Sequence, residues 1–129
     1  MRESIIKTHL EHEQLIENFD KLRKLGSGTF AEVYLVRKKK SSSLFALKVI
    51  DKVRIAEDGL RRYVYAEREI LTQLSHPFLL HAYDCFQDFT HLYILTEFCQ
   101  GGDLEKVVRK GGLSESIART YVCEAALAI

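Results

Sequence analysis

From Phe19 onward, apolar and polar residues alternate in short runs, and the period of the alternation changes along the chain. Leu22–Leu25, Val33–Val36 and Leu44–Ile50 are brief and rich in β-branched or aromatic residues, which predicts three strands. The period then lengthens. Between Gly59 and Leu74 the apolar positions Leu60, Tyr63, Val64, Ile70, Leu71 and Leu74 fall at helical spacing and predict a helix. His76-Pro77 ends it, because proline cannot continue a helix and disfavours helical geometry at the residue before it. Two further strands are predicted over Leu80–Phe86 and His91–Phe98, split by the polar pair Gln87-Asp88. Gly101-Gly102 punctuates, and a short helix near Leu104–Lys110 and a second from Ser114 onward complete the pattern. Strands first, one helix inserted and helices last describe an α+β domain. Residues 1–18 mix Ile5, Ile6, Leu10, Leu15 and Ile16 with charges and read as a helical extension packed on that domain.

Composition narrows the function classes. A chain of 129 residues, 47% hydrophobic and 29% charged, has the balance of one globular domain with a real core. Its net charge of +1 gives no electrostatic reason to expect nucleic acid or a membrane as partner. No apolar run approaches the ~20 residues of a membrane span, and the charged start MRESIIKTHLEHEQ is not a signal peptide. Cys85, Cys99 and Cys123 are odd in number and lack metal-type spacing, so they read as reduced thiols of a cytoplasmic or nuclear protein. The basic stretch RKKKSSS, 37–43, lies between two strand-like runs and reads as a solvated hairpin tip. His9 and His12 have no accompanying ligand set, so no metal site is expected.

The chemistry begins at LGSGTFAEVYLV, residues 25–36. Gly26 and Gly28 lead into Val33-Tyr34-Leu35-Val36, which favours strand, so the turn joins two antiparallel strands. In a dinucleotide-binding unit the glycines would open a helix, and a nicotinamide oxidoreductase is excluded on that ground. Glycines here let the backbone approach a ligand and offer amides to phosphate oxygens, although a hairpin alone uses them for shape. In Phe45-Ala46-Leu47-Lys48-Val49-Ile50, strand alternation puts Ala46, Lys48 and Ile50 on one face. A lysine in such a run must reach water or meet an anion. Glu67 fills the gap in the apolar stripe of the predicted helix and itself needs a cation. Lys48 is the candidate. A buried pair adds little stability, because desolvation offsets the attraction, and this argues for a functional reason.

The combination resembles the small lobe of a eukaryotic protein kinase. The resemblance rests on Gly26-x-Gly28-x-x-Ala31-x-Val33, on Ala46-Leu47-Lys48 and on Glu67, with a Lys48-to-Glu67 separation of 67 − 48 = 19 residues. ENFDKLRKLGSGTF, FALKVIDK, SHPFLL, LYILTEFCQGGDL and GGLSESIARTYVCEA resemble the AGC group of serine/threonine kinases. It implies a five-stranded antiparallel sheet with one main helix over 19–99, the hinge included. The first helices of the large lobe would follow over 100–129, after the extension at 1–18.

The resemblance also implies roles. The loop Gly26, Ser27, Gly28, Thr29, Phe30, Ala31 would cover the phosphates of ATP. Lys48 would contact the α- and β-phosphates, oriented by Glu67. Leu25, Val33 and Ala46 would roof the adenine, and Thr96 would gate the space behind it. Glu97 to Cys99 would form the hinge that meets the adenine edge. Asp103 would sit near the ribose and a basic residue of a protein substrate, or else cap the following helix. Leu71 would join the apolar column running toward the large lobe. Ala31 stands where the family usually has glycine, so a stiffer loop is expected.

The family's catalytic base and Mg ligands come from His-Arg-Asp and Asp-Phe-Gly segments that this sequence does not contain. The expectation is therefore an ATP-binding portion of a serine/threonine kinase, truncated and inactive alone. The alternative is a non-catalytic kinase-like docking module. Ile117, Tyr121, Val122, Ala125 and Ile129 make an apolar face on the last helix, expected to associate when exposed.

Overall fold

The computed structural model describes residues 16–129. Most of the extension read at 1–18 lies outside the described residues. The chain forms β1 (Phe19–Ser27), β2 (Ala31–Lys38), β3 (Leu44–Asp51), α1 (Lys52–Glu57), α2 (Arg61–Gln73), β4 (Ala82–Gln87), β5 (His91–Glu97), α3 (Leu104–Arg109) and α4 (Glu115–Ala128). The strands make one five-stranded sheet in the order β1-β2-β3-β5-β4, antiparallel throughout. The α+β class and the five-strand, one-main-helix lobe read from sequence are what is found.

Strand alternation divides the core into two clusters, one on each face of the sheet. On one face Val36, Leu47, Phe86, Tyr93 and Leu95 are buried together, joined at the margin by Ile16, Phe19 and Phe45. On the other face Ile50 and Ile94 meet Ile55 of α1 and Val64 of α2. The second face is therefore apolar where the helices cover it. Further along the same face, Ala46, Lys48 and Thr96 line a cavity, and the candidate functional site lies there.

The helix predicted from Gly59 is preceded by one the periodicity did not give. Asp51 caps α1, its carboxylate accepting from the amides of Val53 (2.8 Å) and Arg54 (3.2 Å). Gly59, at φ +66°, takes the left-handed turn between α1 and α2 that a side chain would resist. The apolar stripe of α2 is also narrower than predicted. Val64 is buried and Leu60 and Leu71 are partly buried, whereas Tyr63, Ile70 and Leu74 are exposed. Positions 60, 64, 67 and 71 form the line that faces the sheet, and Glu67 lies on it. The exposed apolar positions belong to the adjoining line.

The turns follow their polar residues. Asp88 organises the β4–β5 hairpin by accepting from the amides of Thr90 (2.8 Å) and His91 (2.6 Å) and from the Tyr93 hydroxyl (2.6 Å). The 37–43 stretch is the exposed tip of the β2–β3 hairpin, with Arg37 and Lys39 facing Asp20. Among the described residues no helix is long and apolar enough to cross a membrane, and no three acidic, histidine or cysteine side chains gather as a metal set.

Candidate functional site

A cavity of about 580 Å³ opens beneath the β1–β2 hairpin. That volume falls within the roughly 300–1,000 Å³ typical of small-molecule sites. Leu25, Gly26 and Val33 form its roof; Ala46 and Lys48 of β3 and Ile94 and Thr96 of β5 form its back wall. Glu67 and Leu71 of α2 close one end, and the linker from Glu97 to Asp103 forms the opposite rim.

Lys48 reaches this cavity because β3 lies inside the sheet, between β2 and β5, paired with Val33 on one side and Ile94 on the other. It is not an edge lysine in water. Its Nζ lies 2.6 Å from Oε1 of Glu67, and the side chains are 25% and 40% exposed. The pair is thus half open to the cavity, and its desolvation cost is smaller than for a sealed pair. An ammonium has three protons to donate, and Glu67 accepts one.

The tip of the hairpin stands away from the cavity. Neither Gly26 nor Gly28 has a positive φ. A Cβ at Gly26 would meet nothing within 4 Å, and at Gly28 only the Ala31 carbonyl at 3.8 Å. Nothing in the chain's own fold demands glycine at either position. The Gly28 amide donates to the Ala31 carbonyl (2.8 Å), so in this conformation it is not offered to a ligand. Ala31 is ordinary strand, paired with Ile50, and its backbone does not take the left-handed conformation that would favour glycine. Ser27, Gly28, Thr29, Phe30 and Ala31 do not reach the cavity wall; Phe30 and Ala31 pack instead on the cluster around Ile50 and Val64. The hairpin is braced on its outer side. Glu32 accepts from Lys24 (2.6 Å) and from the Tyr34 hydroxyl. These two donors, Lys24 foremost, hold its carboxyl below the usual range.

The far rim is fixed by hydrogen bonds. The Glu97 amide donates to the His81 carbonyl (3.1 Å), and the Glu97 carboxylate accepts from the His81 amide (3.0 Å). Thr96 is buried and its hydroxyl donates to the Glu97 carbonyl (3.2 Å). Cys99 is exposed, and its carbonyl accepts from Gly102, whose φ is +79°. Asp103 does cap α3, accepting from the Lys106 amide (2.9 Å), and it lines the cavity as well. The three acidic residues of the cavity thus already serve Lys48, the His81 amide and the α3 cap. Among the described residues they do not form a divalent-cation set.

Sequence reasoning missed Arg23, Leu80, Ile94, Lys106 and Lys110 on the wall. Arg23 lies two residues before Leu25, and Ile94 two before Thr96. Strand alternation from the residues already singled out would have found both. Lys106 and Lys110 follow Asp103 on α3, whereas Leu80, in a loop, carries no local signal. A second, smaller cavity of about 130 Å³ lies between α2 and the β4–β5 hairpin, lined by Val64, Arg68, Cys85, Phe86 and Ile94 among others.

A mid-sheet lysine held by a helix glutamate under a glycine hairpin, on this strand order, is the arrangement of a protein kinase small lobe. Residues 19–129 match the protein kinase domain family, and the chain belongs to it. Its relatives are serine/threonine kinases, AGC-type members among them. It is 39% identical over 115 residues to the serine/threonine-protein kinase AtPK2/AtPK19 of Arabidopsis thaliana, covering 88% of this chain and 24% of that protein. It is 38% identical to the serine/threonine-protein kinase tricornered of Drosophila pseudoobscura pseudoobscura, covering 88% and 25%. It is 41% identical over 100 residues to the 3-phosphoinositide-dependent protein kinase 1 of Arabidopsis thaliana, covering 77% and 20%. The chain therefore spans about a quarter or less of the length of these relatives.

Proposed function

We propose that this chain is the ATP-binding portion of a serine/threonine protein kinase, with residues 19–99 as small lobe and hinge and 100–129 as the start of the large lobe. The observation that carries the reading is the 2.6 Å Lys48–Glu67 contact at the wall of a cavity of nucleotide size. Lys48 directs its remaining protons at the α- and β-phosphates, and Glu67 fixes its position. Leu25, Val33 and Ala46 cover the adenine, Thr96 bounds the space behind it, and the Glu97–Cys99 backbone meets its edge. Asp103 uses one oxygen on the α3 cap. Its other lone pairs can accept a ribose hydroxyl or a basic side chain of the protein substrate.

In the transfer, a substrate serine or threonine oxygen bonds to the γ-phosphorus as the bridging bond to the β-phosphate breaks. ADP leaves, and the hydroxyl proton passes to a base that this chain does not supply. Mg²⁺ would arrive with the nucleotide and be held by acidic residues other than those of this cavity. The exposed Cys99 and Cys123, free of disulfides, suit a reducing compartment, the cytoplasm or nucleus.

The test is phosphate transfer from γ-labelled ATP to a protein substrate by the polypeptide that carries this chain. Lys48→Met is expected to abolish it while leaving the fold intact by circular dichroism. Wild-type turnover in that variant would remove Lys48 from the mechanism.

A further inference from the structure

The glycine turn is fastened at its tip, and the fastening points away from the cavity. Arg54, on the first turn of α1, donates from Nη1 to the Thr29 carbonyl at 3.3 Å. Its Nε lies 3.9 Å from Oδ2 of Asp51. The other oxygen of Asp51 caps α1. One carboxylate thus starts the helix that presents Arg54 and orients its guanidinium. The neighbouring residue is held too: the Phe30 carbonyl accepts from the Asp51 amide at 3.1 Å, and the Phe30 ring packs toward Ile50, Ile55 and Val64.

We propose that Arg54 is a positioning residue that holds the tip of the glycine turn off the cavity, so that a nucleotide's phosphates must displace this contact before the turn can close on them. The proposal rests on the reading of the cavity as a nucleotide site. Three observations carry it. Residues 27–31 are missing from the cavity wall, although Gly26, one position earlier, is on it. The Gly28 amide is turned inward to Ala31 and not toward Lys48. Open space surrounds the Cβ position of Gly26, and that of Gly28 meets only the Ala31 carbonyl at 3.8 Å, so no packed side chain holds either glycine when the tip moves.

Of the contacts at the tip, the one at Phe30 continues the β2–β3 ladder and anchors the base of the turn. The Arg54–Thr29 bond ties the turn to α1, an element outside it, and closure must break it. A ligand shifts the turn only through contacts that differ between its two positions. Removing the tether therefore favours ligands that carry phosphates and leaves ligands without them untouched.

The test uses the 129-residue chain with Arg54→Ala and Arg54→Lys. Arg54 is exposed and alanine is a good helix former, so both variants are expected to fold. Calorimetric titration compares ATP with adenosine, and ¹⁵N relaxation reads the order parameters of Gly28 and Thr29 without nucleotide. In Arg54→Ala the order parameters fall, ATP binds roughly two- to fivefold tighter, and adenosine binding is unchanged. Lysine, which can still reach the carbonyl, keeps the wild-type values. Unchanged order parameters, or an ATP-to-adenosine ratio that stays at its wild-type value, overturn the proposal. Wild-type chain that binds ATP no better than adenosine sinks the nucleotide reading instead. The tether is then decided by the order parameters alone.

Discussion

The Lys48 ammonium carries three protons, and one carboxylate stands beside it. That surplus is what the proposed nucleotide site uses. Because both side chains of the pair are partly exposed, Lys48→Met is expected to change stability by less than about 1 kcal/mol. Nucleotide affinity carries the loss, and urea unfolding set against ATP titration separates the two effects. Asp103 has a structural duty besides its place at the cavity. Asp103→Ala should cost about 1 kcal/mol by removing the α3 cap, read as earlier amide exchange across Leu104–Arg109. The Lys48–Glu67 pair was legible in the sequence because each residue breaks the apolar pattern of its own element. The conformation of Thr29 and Phe30 was not, because a glycine turn has more than one allowed position and only its tertiary neighbours choose between them.

The helices α1, α3 and α4 and the β4–β5 hairpin are set by single polar residues, whereas α2 has no side-chain cap. α1 exists because Asp51 satisfies two of its first amides, and six residues are too few for periodicity to announce a helix. α2 was predicted with the right residues but too wide a buried face. Its apolar positions form two neighbouring lines, of which only the one through 60, 64 and 71, interrupted by Glu67, meets the sheet. The β4–β5 hairpin depends on Asp88. Burial opposes its charge, but the Tyr93 hydroxyl and the amides of His91 and Thr90 outweigh burial and hold its carboxyl below the usual range. A carboxyl depressed in the folded state stabilises the fold above its unfolded pKa, and that contribution is lost as pH falls through the folded value. Asp88→Asn should therefore lower the urea midpoint near neutrality. Its gap from wild type should narrow as the pH falls from about 5 through the ordinary aspartate range and below it. A gap that stays constant over that range would show that the Asp88 charge does not support the hairpin.

At the scale of the molecule, the sheet presents two unlike faces. Leu47 is fully buried on the face away from the cavity, and Leu47→Ala should cost about 3 kcal/mol without altering the site wall. The face carrying Ala46, Lys48 and Ile50 followed from alternation in β3, whereas the five-stranded antiparallel sheet was implied by the kinase resemblance and its strand order comes from the structure. α4 is different: none of its residues is buried, and Ile117, Tyr121 and Val122 are exposed. Sedimentation of the 129-residue chain should show concentration-dependent association, which Ile117→Glu with Val122→Glu relieves. The account as a whole depends on the cavity beneath the hairpin being the place where ATP binds. Amide chemical-shift mapping with ATP tests this most directly. The account predicts shifts grouped at Gly26, Val33, Ala46, Lys48, Thr96 and Cys99, and their loss in Lys48→Met. Shifts centred on Phe19, Phe45 and Tyr83 across the sheet, or an unaltered pattern in Lys48→Met, would contradict it.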